Sequence, residues 1–363
     1  MGAHGLTSDV RGPSGPKERL VWADVAKGAC IVLVVLWHVI MKHFLQVQWN
    51  IPVPLAGAWG AAGEVLLPLR MPLFFAISGF FAAGALARPW RVVGRSKVAK
   101  FFYLYALWLL IHTAVFSFVP EDFDTARAGS FGELLAQLTI SPTNLWYLYA
   151  LALYFVLAKV LRPVPPLVML AVAFVVSAAA SAELIPTPGD RKDLFENLLF
   201  FLAGAYGKSY LARVATAANW PRFFAVAVPY VGILAVTYYL GADTWFGLMP
   251  TISFVAVFLG VTAASLITRW EALANGLVSL GRRTLPIYVM HMPVLALLHA
   301  VLVGLISSAG PTVQLVVAAV EPLVLTAVVV AICLGLYRIL PTKWLFDLPG
   351  GPVRTPAKEG AGR

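Results

Sequence analysis

The sequence predicts an all-α, polytopic integral membrane protein of about ten transmembrane helices, with both termini cytoplasmic. Three observations predict it. Hydrophobic residues make up 60% of the chain and charged residues 12%, and the mean hydropathy is +0.83, outside the range of a soluble domain. Apolar runs of about 20 residues, enough to cross a bilayer core as a helix, recur at roughly 26–47, 65–86, 99–119, 144–161, 164–182, 194–211, 223–240, 248–267, 285–306 and 314–338. Alternating these spans from an inside N-terminus puts 22 of the 27 Lys and Arg residues on inner segments, leaving Lys42, Arg70, Arg127, Arg191 and Lys192 outside. That bias orients membrane proteins.

The ends frame the membrane domain. Residues 1–20 are polar and Gly/Pro-rich and read as a flexible cytoplasmic tail. No cleavage signal follows a short apolar core, so the first span is expected to be an uncleaved anchor. Residues 21–346 form the membrane domain and 347–363 a basic cytoplasmic tail. The fourth to sixth spans are short or interrupted. A net charge of +10 follows from inner loops that face anionic lipid. It requires no nucleic acid and leaves some cations for an anionic ligand. Cys30 and Cys333 fall inside apolar runs and suggest neither a disulfide framework nor a metal site. The chain shows no soluble domain, useful repeat, phosphate loop or zinc motif.

The first span carries Lys27, His38 and Lys42. Eleven residues return a helix to within roughly 20° of the same face and advance it roughly 16 Å. Lys27 is thus expected at one membrane surface and His38 deep inside. Ionisable groups at such depth are costly and face a cavity or a partner, which makes this stripe a candidate site.

The second span holds Arg70, Pro72, Ser78 and Gly79. Arg70, near the outer end, either snorkels or faces a cavity. Ser78 either bonds back to its own helix or is catalytic. Gly79 permits close backbone approach. The next inner loop has Arg88, Arg91, Arg95, Lys97 and Lys100, a stop-transfer cluster from which one or two members are expected to clamp phosphates. The loop at 120–143 is acidic, with Glu121, Asp122, Asp124 and Glu133, and runs into Trp146 and Tyr147. These rings read as interfacial anchors or as a stacking surface for sugar at a cavity mouth. The ninth span opens with Arg282, Tyr288 and His291, and Pro293 interrupts its hydrogen bonds. His291 supplies a second buried imidazole, with His112 and His299 as weaker candidates.

Together these residues resemble acyltransferase family 3, bacterial membrane O-acyltransferases of surface saccharides, and most nearly its fucose 4-O-acetylase-like branch. The likeness rests on Trp22, Asp24, Lys27, Gly28 and His38; on Met71, Pro72, Ser78 and Gly79; on Leu145 to Leu148; and on Leu280 to Leu285 with Tyr288 and His291. The departures are Lys27 in place of an arginine, which loses a two-pronged grip, and Ala150 and Leu151 where relatives often carry a glutamate. The resemblance implies an acyl-CoA donor, usually acetyl-CoA, bound as a substrate from the cytoplasm of a bacterial inner membrane, with no resident cofactor. The acceptor is a hydroxyl of a cell-envelope saccharide or glycolipid. An Ala-, Val-, Gly- and Arg-rich, high-GC composition makes a trehalose mycolate-type glycolipid one expected acceptor.

A neutral imidazole takes the acceptor's proton or carries the acyl group itself, and His38 is expected in that role. Lys27 with the Arg88 to Lys100 cluster, Lys97 and Lys100 among them, is expected to hold CoA phosphates, while His291, Tyr288 and Arg282 complete the pocket. The rivals are a secondary transporter or flippase and a non-enzymatic scaffold. Against the transporter stand the lack of an inverted repeat and the expectation that no span buries a carboxylate. Against the scaffold stand the intramembrane His38 and His291.

Overall fold

The computed structural model describes residues 20–119, 123, 127–141, 143–187, 191–340 and 342–350. Both expected tails, up to residue 19 and from residue 351, lie outside the described residues, as do Glu121, Asp122 and Asp124 of the acidic loop. Among the described residues all regular structure is helical. The helices are α1 (Val21–Lys42), α2 (Leu55–Val65), α3 (Leu67–Leu86), α4 (Trp90–Val93), α5 (Lys100–Phe116), α6 (Phe131–Thr139), α7 (Trp146–Val160) and α8 (Pro166–Ser181). They continue with α9 (Arg191–Tyr206), α10 (Lys208–Thr216), α11 (Trp220–Tyr239), α12 (Leu248–Ile267), α13 (Glu271–Gly281), α14 (Thr284–Ser307), α15 (Pro311–Ile339) and α16 (Thr342–Leu345).

Among the described residues each of the ten expected spans is helical, the sixth divided between α9 and α10 at Gly207, and seven segments are long and apolar enough to cross a membrane. They are Val21–Gln46, Leu55–Leu86, Trp90–Phe116, Trp220–Tyr239, Leu248–Ile267, Thr284–Ser307 and Pro311–Ile339. α7 and α8 are apolar but only 15 and 16 residues long, about 22–24 Å against a core of about 30 Å. α9 opens with Arg191, Lys192 and Asp193 and carries Glu196 a turn on, so its first turns are polar. One expectation fails outright: α15 buries Glu321 at 8% exposure. The acidic loop also contains a helix. Ser130 caps α6 by accepting from the Glu133 N–H at 3.2 Å, and Glu133 accepts in turn from the Gly129 N–H at 2.7 Å, one residue before the cap.

α1 is the hub. It packs against α3, α12, α13, α14 and α15, because Val25, Ile31, Val35 and Val39 on one side and Ala23, Ala26 and Cys30 on another are all buried. Two crossings need glycine. A methyl group at Gly79 of α3 would overlap the Phe201 carbonyl of α9, and one at Gly204 of α9 would overlap the Ala76 carbonyl of α3. Gly28 of α1 and Gly281 of α13 stand in the same relation to the carbonyls of Leu277 and Asp24. Small residues let membrane helices touch backbone to backbone, and here they bring α9 against α3 and α13 against α1.

Proline supplies the remaining local design. Pro293 in α14 and Pro322 in α15 lie inside their helices and have no N–H for the carbonyl four residues earlier. In both cases a ring N–H from another helix takes that carbonyl. His112 Nε2 of α5 is 2.7 Å from the Val289 oxygen, and Trp59 Nε1 of α2 donates to the Ala318 oxygen at 3.0 Å. His112 thereby reads as a packing residue.

Candidate active site

His38, in the fifth turn of α1, and His291, in the third turn of α14, meet in the interior. His291 Nδ1 is 2.6 Å from the Tyr288 carbonyl, so this nitrogen carries the proton. His38 Nδ1 is 2.8 Å from the Val34 carbonyl and 3.3 Å from His291 Nε2. The same rule makes His38 Nδ1 a forked N–H donor to both, with His291 Nε2 as an acceptor. His38 Nε2 is left with its lone pair, on a ring that lines a cavity. A neutral imidazole so oriented can accept a proton.

That cavity, about 1040 Å³ including its mouth, is lined by His38, Lys42 and Trp37 of α1, Arg70 of α3, Asn144 and Trp146 at the start of α7, and Asp193, Glu196 and Asn197 of α9. Its polar lining is incompletely satisfied. Trp37 Nε1, Arg70 Nη1, Asn144 Nδ2 and Asn197 Oδ1 are all buried with no hydrogen-bond partner among the described residues. Buried polar atoms are normally paired, so three donors and an acceptor left without partners on residues lining one cavity point to a polar ligand there. Arg70 is 5% exposed and lies 4.5 Å above the Trp37 ring. Of its two expected placements, snorkelling and facing the cavity, the structure shows the second.

A second cavity, about 760 Å³, opens at the Lys27 end of α1. Lys27, Ser78, Lys97, Phe101, Tyr147 and Phe155 are among its walls. The Lys27 ammonium is 2.9 Å from Asp24 and 4.6 Å from the Phe81 ring centre. Lys97 reaches this wall from a π-helical turn, Gly94–Ala99, between α4 and α5, a distortion found often at functional sites. Tyr288 lines both cavities. Its hydroxyl donates to the Asn144 carbonyl at 2.9 Å and accepts from the Tyr147 N–H at 3.2 Å, serving an otherwise unpartnered donor in the first turn of α7. Ser78 donates to the Phe74 carbonyl at 2.8 Å, back-bonded to its own helix, and lies 2.6 Å from the Tyr147 hydroxyl.

The structure thus brings His38, Arg70, Trp146 and Tyr288 together at one cavity, with His291 behind His38 and lining neither cavity, and Lys27, Ser78, Lys97 and Tyr288 at the other. It does not bring in Lys100 or Arg282, which line neither cavity. Lys100 pairs with Asp347 at 2.9 Å. Burial disfavours the Asp347 carboxylate, but the bond from Lys100 and the Leu348 N–H outweigh it and hold this carboxyl below its ordinary range. Arg282 lies 3.7 Å from Asp24 and is half-exposed. A charge run says nothing of which members turn inward, and these two are turned by carboxylates distant in sequence or on another helix. His299 belongs to a separate cluster described below. Sequence reasoning missed Trp37, Asn144, Asp193, Glu196 and Asn197. For the last three the signal was the set of polar residues crowding the start of the sixth apolar run. Among the described residues no group of three or more His, Cys, Asp or Glu side chains is arranged to hold a metal.

A family model described as an acyltransferase domain, acyltransferase family 3, matches residues 20–338. The chain belongs to acyltransferase family 3. The match runs from the first turn of α1 almost to the end of α15, so both cavities of this family 3 domain lie within it. Among curated proteins it is similar to "Inner membrane protein YcfT" of Escherichia coli (strain K12), 30% identical over 206 residues that cover 52% of this chain and 57% of that protein. The chain therefore spans little more than half the length of the curated relative it matches. No solved structure matches this family 3 chain.

Proposed function

We propose that this protein is an inner-membrane O-acyltransferase that moves an acetyl or short acyl group from acyl-CoA to a hydroxyl of a cell-envelope saccharide or glycolipid. The observation that carries the reading is the pairing of two unlike cavities at Tyr288. One is walled by cations and aromatic rings, and the other by His38 with four buried, unpartnered polar atoms. In this reading the Lys27 end is cytoplasmic, as the distribution of basic residues favours. Lys27 and Lys97 hold phosphate oxygens of CoA while the pantetheine thioester runs past Ser78 and Tyr147 toward Tyr288. The acceptor lies in the His38 cavity, its ring hydroxyls satisfying Trp37, Asn144 and Asn197, with Trp146 as a stacking face.

The acceptor hydroxyl oxygen attacks the thioester carbonyl carbon as His38 Nε2 takes its proton. Arg70 donates to the oxygen on which negative charge develops. The C–S bond then breaks and the proton returns from His38 to the thiolate, giving the ester and free CoA. His291, accepting from His38 Nδ1–H, keeps the lone pair of Nε2 on the acceptor side. Lysine at position 27 holds phosphate as a point charge, where an arginine would grip two oxygens.

The test is label transfer. Purified protein in liposomes with radiolabelled acetyl-CoA and an envelope glycolipid extract is expected to yield labelled ester, and Arg70→Ala to yield far less. The transporter reading keeps one observation in its favour, the buried Glu321. Substrate movement across liposomes without thioester turnover would favour it over acyl transfer.

A further inference from the structure

His43, His299 and Glu321 form a second buried polar cluster that neither cavity includes. Their exposures are 0%, 1% and 8%. His43 Nδ1 is 2.9 Å from His299 Nδ1, and His43 Nε2 is 2.5 Å from a Glu321 carboxylate oxygen. The cluster joins three elements: the end of α1, α14 and the middle of α15. We propose that it is a positioning network that holds His38 against His291. This rests on the reading of His38 as the reactive residue.

Four observations support it. The two helices joined by His38 and His291 are the two joined again by His43 and His299, five and eight residues further along. His43 lies where the backbone leaves the helix, at φ −126° and ψ −64°, so its ring fixes both the rotation of α1 and its height. The contact it guards is sensitive, because His38 to His291 is already 3.3 Å, and a shift of about 0.5 Å would carry it past hydrogen-bonding range. The far side is braced too: Phe123 packs on the His299 ring at 5.0 Å, and Trp59 holds the Ala318 carbonyl one turn before Glu321.

Energetics point the same way. A carboxylate buried in a membrane helix is costly, and apolar residues of similar size are often at least as stable as a buried ion pair. Packing alone therefore gives no reason for Glu321. Polar groups of this kind instead define register between elements, and the register defined here is that of α1 on α14.

The test uses the full-length protein in detergent and measures the rate at which diethyl pyrocarbonate modifies His38, read by peptide mass spectrometry with His38→Ala as background. Glu321→Leu is expected to slow modification about fivefold or more, since His38 Nε2 is a weaker nucleophile once its Nδ1–H loses His291 as an acceptor. Glu321→Gln, which still offers His43 a carbonyl, is expected to restore most of the rate. Thr326→Val, another buried polar position on α15, bonded to its own helix at the Pro322 carbonyl, is expected to leave it unchanged. An unchanged rate in folded Glu321→Leu overturns the proposal. Should that variant not fold, His299→Phe decides instead, with the same slowing expected and an unchanged rate again contrary. No acyl-CoA enters this assay, so failure of the donor assignment and failure of the network are told apart.

Discussion

His291 Nε2 accepts a hydrogen bond from His38 Nδ1 at 3.3 Å across 253 residues of sequence, and the Tyr288 and Val34 carbonyls fix which nitrogen of each ring holds the proton. Two backbone oxygens thereby determine that His38 presents a lone pair to the cavity that its ring lines. Removing the acceptor should loosen that orientation without touching the donor cavity. His291→Phe is expected to lower kcat about 100-fold, within the range of general-base effects, with KM for acetyl-CoA within about twofold of wild type. Steady-state thioester turnover checks both numbers.

Lys27 stands at the opposite end of α1, in contact with Asp24 and Phe81. Lys27→Ala should weaken acetyl-CoA binding about tenfold, equivalent to one charge-assisted bond of about 1.4 kcal/mol. Lys27→Arg should bind at least as well as wild type. Calorimetric titration with desulfo-CoA reads this independently of turnover.

The His112 ring and Pro293 form a matched pair around the Val289 carbonyl. His112→Phe leaves that oxygen buried without its donor, and a loss of about 1–3 kcal/mol is expected. Pro293→Ala added to it supplies an N–H four residues on and should recover part of the loss. A double-mutant cycle by thermal unfolding in detergent measures the coupling; strict additivity would contradict the pairing.

Gly79 and Gly204 face each other's helices too closely for any side chain. Gly79→Ala is expected to destabilise by about 1–3 kcal/mol through overpacking. Because Asp193, Glu196 and Asn197 of α9 line the His38 cavity, reactivity of His38 toward small reagents should change as well. Gly84, which has open space around it, should accept alanine with little change in melting temperature.

Much of this site was legible because ionisable residues in apolar runs are few and each needs a reason. His38 and His291 stand out on that ground alone, and the motif glycines point to close helix contact. Glu321 carried the same signal, a single acidic residue in the last apolar run, yet the expectation of no buried carboxylate passed over it. His43 sits one residue past the end of α1, where a charged or polar group normally meets water, so nothing local marks it as buried. Lys100 and Arg282 show a different limit: their partners, Asp347 and Asp24, come from other parts of the chain, and only the fold brings them together. The span count rests on average hydropathy, which reads α7, α8 and α9 as membrane-crossing although the first two are short and the third opens with charges.

The most direct test of the central claim incubates purified protein in liposomes with radiolabelled acetyl-CoA and an envelope glycolipid extract, wild type beside His38→Ala. The account predicts that wild type consumes the thioester and that His38→Ala, folded and still binding acetyl-CoA, loses at least about 100-fold of that turnover. Undiminished turnover in His38→Ala, or no acetyl-CoA binding by wild type, would contradict it.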